Sequence, residues 1–161
     1  MEEILQTLTD MNIPFELQEH KAIFSEKDSE GVEITLPGIE VKNLFVKDKH
    51  HNYGLVSMDL HKRADLKKIA LLFGFDRLSF CNPDELMKYL SITPGSVTPL
   101  CIKADKECKV KVLFDQNFQG QKVIVHPLRN TASVSIEFSD LCRFVEAYGH
   151  SWITGDVYKV E

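Results

Sequence analysis

Apolar residues at Ile4, Leu5, Leu8 and Met11 recur at the spacing of one helix face until Asn12 and Pro14 interrupt them, which predicts a short amphipathic helix. A strand is expected near residues 15–18. Residues 25–40 are polar and acidic, with Gly31, Pro37 and Gly38, and read as a helix fragment or loop. Two short apolar runs follow, 42–46 and 53–58, separated by Lys47-Asp48-Lys49-His50-His51-Asn52: the outline of a hairpin with a charged tip. Leu66, Ile69, Ala70 and Phe73 return to helical spacing and stop at Gly74. Asn82-Pro83-Asp84-Glu85 is an N-cap with proline in the first helical position, opening a helix through Leu90. Three further strands are expected over 110–114, 122–126 and 132–136, the first two joined by a turn around 117–120. Ser139-Asp140 is read as the cap of a last helix bearing Leu141, Phe144 and Val145 and ending at Gly149.

Hairpins mixed with helices, without repeating βαβ units, place the chain in the α+β class: a mixed, largely antiparallel central sheet flanked by helices. Its 161 residues, 43% apolar, suit a single domain over 1–161 able to bury a core. The chain has no apolar run of membrane-spanning length, and Met1-Glu2-Glu3-Ile4 lacks the basic start of a signal peptide, so no membrane partner and a cytoplasmic location are expected. Cys81, Cys101, Cys108 and Cys142 show no zinc-ligand spacing and read as reduced, mostly buried thiols. No metal or cofactor is expected, and no nucleotide-binding, zinc-protease or serine-hydrolase motif is present.

A net charge of −5 argues weakly against a nucleic-acid partner. The distribution reverses that: residues 1–40 carry −8 and 131–161 carry −3, whereas 41–130 carry +6. A locally basic surface on an acidic chain suits weak, transient RNA binding, although any single stretch such as 61–68 serves equally as a solvated face.

Three features exceed what a core requires. Lys42 and Asn43 set an ammonium and an amide at the start of an apolar strand, although a lysine there also discourages edge-to-edge pairing. In Pro94-Gly95-Ser96-Val97-Thr98-Pro99, glycine admits close approach of backbone to a ligand, so that successive N–H groups could face an oxygen carrying negative charge; the same string also suits a rigid turn. His126 ends a strand and is followed by Pro127-Leu128-Arg129-Asn130-Thr131; such a histidine can orient a substrate or simply be structural.

Together, Lys42-Asn43-Leu44-Phe45-Val46-Lys47-Asp48, Gly95-Ser96-Val97-Thr98-Pro99 and His126-Pro127-Leu128-Arg129-Asn130-Thr131 resemble, in order and spacing, the YbaK/prolyl-tRNA editing family, and within it the free-standing Ala-tRNA(Pro) deacylases. The likeness includes the early Glu19-His20, although Lys21 stands where relatives often have proline. It implies an editing-domain fold and a trans-editing hydrolase that removes a wrong amino acid from tRNA(Pro), with prolyl-tRNA synthetase as a possible partner. Lys42 would hold a phosphate of the acceptor end, and the amides of Gly95, Ser96, Val97 and Thr98 would receive the oxyanion. Asn43, Phe45, Pro99, His126 and Asn130 would complete the substrate-binding set. In that family the terminal ribose hydroxyl helps to activate water, so no protein base is required. Alanine is the expected amino acid; cysteine or serine, or a non-catalytic aminoacyl-tRNA binding module, are the alternatives.

Overall fold

A computed structural model describes residues 1–22 and 31–160. Helix α1 (Glu2–Asp10) buries Ile4 and Leu8 and leads to strand β1 (Glu16–Glu19). Residues 25–30 of the expected helix fragment or loop lie outside the described residues; 31–38 form neither helix nor strand. The hairpin follows as β2 (Ile39–Lys47) and β3 (Tyr53–Asp59), paired from Val41↔Asp59 to Lys47↔Tyr53. Its tip is tied by the buried carboxylate of Asp48, which accepts from the amides of His50, Asn52 and Asp76 and from the Asn52 side chain.

Helix α2 (Leu66–Phe73) begins at Asp65, whose side chain accepts from two amides, and ends on Gly74 in the left-handed conformation. A short β4 (Ser79–Phe80) precedes α3 (Pro83–Leu90), where Asn82 and Glu85 form a full capping box with Pro83 in the first turn. After a 3₁₀ helix at Pro99–Ala104 come β5 (Val110–Asp115), β6 (Lys122–Val125) and β7 (Ala132–Glu137), then α4 (Phe138–Ala147) and β8 (Trp152–Gly155). The strands form a mixed eight-stranded sheet in the order β1-β7-β6-β2-β3-β5-β8, with β4 also on β2. Four pairings are antiparallel (β1-β7, β2-β3, β2-β4 and β6-β7) and three are parallel (β2-β6, β3-β5 and β5-β8).

Two expectations change. Strand β2 begins at Ile39 and has neighbours on both sides of the sheet, so Lys42 is its fourth residue and does not start it. Helix α4 starts directly from β7, with the Phe138 amide bonded to the Gln121 carbonyl; Ser139 and Asp140 therefore fall within the first turn, where Asp140 pairs with Arg143 at 2.9 Å. The sequence reading also lacked β8, a four-residue strand held by register with β5.

Alternation along β2 and β3 divides the interior. Val41, Phe45, Tyr53 and Leu55 face one core with α1, α3, α4 and the 3₁₀ helix; Leu44, Val46, Val56 and Met58 face another with α2. Along its other edge, β2 meets β6 only at Ile39 and Glu40 and β4 only at Val46 and Lys47. The stretch between, which carries Lys42 and Asn43, lies where those two strands have parted. Against the second core, Gly54 lets the Phe73 ring sit flush on β3: a Cβ at Gly54 would lie 2.5 Å from ring atoms. Gly54→Ala is expected to destabilise the fold by about 1–3 kcal/mol in urea titration through overpacking. Adding Phe73→Leu should recover part of the loss; equal stability of wild type and single variant would contradict this packing.

Candidate active site

Asn43 and Ser57 are cross-strand partners of β2 and β3 on the face toward the first core. The Ser57 hydroxyl donates to Asn43 Oδ1 at 2.6 Å, which directs Nδ2 outward to donate to the Val97 carbonyl at 3.0 Å. An amide in a largely apolar setting is tolerated because both ends are bonded. Val97 belongs to the loop singled out in the sequence, and its local structure follows from its residues. Pro94 and Gly95 (φ +89°) form the middle of a turn closed by the Ser96 amide on the Thr93 carbonyl at 3.2 Å, the signature of type II. Thr98 is fully buried: its hydroxyl accepts from Leu100 N, and its carbonyl accepts from the amide and thiol of Cys101. Pro99 opens the 3₁₀ helix.

The loop is thus held from both ends, by the Asn43 amide on Val97 and by Thr98 in the 3₁₀ cap. Of the four amides expected as oxyanion donors, that of Ser96 is spent on the turn. Those of Gly95, Val97 and Thr98 meet no acceptor among the described residues. Donors fixed in place and without acceptors can stabilise charge that develops on a bound carbonyl oxygen at little reorganisation cost.

A second group forms on the opposite face of the sheet. His126 directly follows β6, and its Nδ1 lies 3.0 Å from the Ala132 carbonyl. A carbonyl only accepts, so Nδ1 carries the proton and Nε2 presents a lone pair. Burial pushes the imidazole below its ordinary value; the bond to Ala132 opposes this and nearby His20 adds to it. The His20 ring lies 6.3 Å from that of His126. Its Nδ1 faces the Lys21 carbonyl at 2.8 Å, so Nε2 accepts from the buried Ser133 hydroxyl at 2.9 Å. Lys42, half-buried in β2, alternates with Asn43 and so belongs to the face opposite the first core.

The expected residues are therefore distributed unevenly. Asn43, Val97, Thr98 and Pro99 come together, and Lys42 and His126 share the other face where β2 and β6 part. Phe45 is buried against Tyr53 and Tyr89, with ring centroids 5.8 and 6.4 Å away. Half-buried Asn130 lies in the turn beyond His126, next to Arg129, which pairs with Glu19 at 3.3 Å. Ser57, Ser133 and the placement of His20 were missed. For Ser133 the local signal was serine alternating with apolar residues at 133 and 135.

The aminoacyl-tRNA editing domain family matches residues 28–144. The chain belongs to this family. It is 34% identical over 151 residues to the prolyl-tRNA editing protein ProX of Acetoanaerobium sticklandii, covering 92% of each chain. It is 35% identical over 156 residues to the prolyl-tRNA synthetase associated domain-containing protein 1 of Mus musculus, covering 92% of this chain and 90% of that one. A solved structure of a candidate trans-editing enzyme for prolyl-tRNA synthetase superimposes with a TM-score of 0.68 at 18% identity, covering 99% of this chain and 94% of that one, which shows the shared fold. As a member of the editing family the chain is an aminoacyl-tRNA deacylase.

The lowered His126 pKa gives a signed test. Its NMR titration should have a midpoint below the ordinary imidazole value of about 6.5 and move upward in His20→Gln. Because the unfolded chain takes up that proton first, the contribution of His126 to stability should be present above the ordinary value and decline as pH falls through it. A midpoint at or above the ordinary value would contradict the buried, neutral assignment.

Proposed function

We propose that this protein is a trans-editing enzyme that hydrolyses the ester of mischarged tRNA(Pro), with Ala-tRNA(Pro) as its substrate. The observation that carries the reading is the Asn43–Val97 bond, which holds the loop while the amides of Gly95, Val97 and Thr98 remain without acceptors among the described residues. Water attacks the ester carbonyl, negative charge gathers on its oxygen, and these amides receive it. The C–O bond to the ribose then breaks, and the ribose oxygen leaves with the proton given up by the attacking water. Neutral His126 lines the aminoacyl pocket and orients the substrate, without taking the proton of the attacking water. Lys42, on the face of β2 opposite Asn43, holds a phosphate of the acceptor end as a point charge. Asn130, Phe45 and Pro99 shape the surroundings of these groups.

A separate editing step answers a physical limit. A pocket that fits proline loses only about 1–3 kcal/mol of contact with a smaller apolar side chain, too little for accurate selection. The names of the relatives point to tRNA(Pro) and to prolyl-tRNA synthetase, which is the partner expected to hand over the mischarged product.

Loss of ester from Ala-, Cys-, Ser- and Pro-tRNA(Pro) should be followed in parallel. Ala-tRNA(Pro) is expected to be hydrolysed fastest and Pro-tRNA(Pro) to be spared. Lys42→Ala should lower kcat/KM about tenfold or more and reduce its salt slope by about one, and His126→Ala should slow the reaction without abolishing it. Hydrolysis of none of the four would overturn the enzymatic reading; preference for Cys- or Ser-tRNA(Pro) would overturn the assignment of alanine alone.

A further inference from the structure

A second constellation of reactive side chains lies outside the editing site, where the 3₁₀ helix runs into β5. Asp105 ends that helix and is buried, with one carboxylate oxygen accepting from Lys109 N at 3.0 Å and the other from Val110 N at 2.8 Å. The second oxygen also lies 3.0 Å from Nε2 of His150, itself only 4% exposed. A carboxylate that already accepts two amides calls for a proton on Nε2, which leaves His150 Nδ1 as an acceptor. Nδ1 faces the Cys108 sulfur at 3.8 Å.

Cys108 is the exposed member of the four free cysteines, and its backbone is held at φ +54°, a conformation side chains other than glycine seldom adopt. Its sulfur also lies 3.4 Å from the Gly149 carbonyl and 4.0 Å from that of Tyr148. Those two acceptors can receive only a hydrogen bond, whereas the imidazole can take the proton. Among the described residues no three His, Cys, Asp or Glu side chains converge on a metal position, so Cys108, His150 and Asp105 are arranged as a relay rather than a cage.

We propose that Cys108 is a nucleophilic thiol activated by the His150–Asp105 pair, and a site of covalent modification by soft electrophiles and hydroperoxides. The thiol proton passes to His150 Nδ1, and Asp105 stabilises the imidazolium through Nε2–H. With hydrogen peroxide the thiolate attacks one oxygen and the O–O bond breaks. The hydroxide released takes the proton from Nδ1 and leaves as water. The sulfur is oxidised to sulfenic acid and the peroxide is reduced.

The test uses the intact protein at neutral pH, with iodoacetamide as alkylating probe and hydrogen peroxide with dimedone to trap sulfenic acid, each product mapped by mass spectrometry. Cys108 is expected to alkylate about tenfold or more faster than free glutathione, as a thiol with a base at hand to take its proton should. Buried Cys101 and Cys142 should lag far behind it, and dimedone should label Cys108 first. In His150→Asn, shown to be folded by its circular dichroism, the rate should fall to that of glutathione or below. Wild-type Cys108 reacting no faster than glutathione would overturn the proposal without recourse to any variant. So would a folded His150→Asn protein that keeps the wild-type rate.

Discussion

The side chain of Asn43 joins the sheet to the loop on which the proposed chemistry depends. Its oxygen is fixed by Ser57 on the neighbouring strand, so its NH₂ group has one productive direction, toward the Val97 carbonyl. Each hydrogen bond contributes only about 0.5–1.5 kcal/mol net, but leaving a buried partner unsatisfied costs about 1–3 kcal/mol. The clamp is therefore worth more for its geometry than for stability. It draws the Val97 carbonyl toward the sheet, so that the peptide dipole on either side of Val97 is fixed before any substrate arrives.

The fold makes room for this at a particular place. Strand β2 is shared: β6 accompanies it through Glu40 and β4 joins only at Val46, so the intervening stretch presents residues to both faces. Successive residues alternate sides, and Lys42 and Asn43 therefore supply different faces from adjacent positions. Asn43 serves the loop; Lys42 takes the other face, on which His20 and Ser133 surround His126.

Much of this was legible in sequence because it is local. The capping box at Asn82 and Glu85, the Gly74 stop and the Pro94-Gly95 turn are written in contiguous residues whose conformational preferences decide the outcome. The strings around Lys42, Gly95 and His126 likewise supplied the candidates for the proposed site. What joins them was not legible, since Asn43 and Val97 are 54 residues apart and His20 and Ser133 are 113 apart, and single-sequence periodicity carries no pairing information. The burial of Phe45 against Tyr89 and the missing cap at Ser139 follow from such non-local neighbours, whereas the loss of the Ser96 amide to the turn is local. The relay at Cys108 was invisible for the same reason: His150 lies 42 residues away and contributes no motif.

The central claim is that the Asn43 clamp prepares the loop amides for the developing oxyanion. Its most direct test is the single-turnover rate of Ala-tRNA(Pro) deacylation in Asn43→Ala, measured at saturating enzyme alongside the thermal melting of the variant. The expected result is a rate lower by about 10²–10³-fold, the size of effect seen when an oxyanion-stabilising donor is lost, in a protein that still melts cooperatively. A folded variant that deacylates within twofold of wild type would contradict the account.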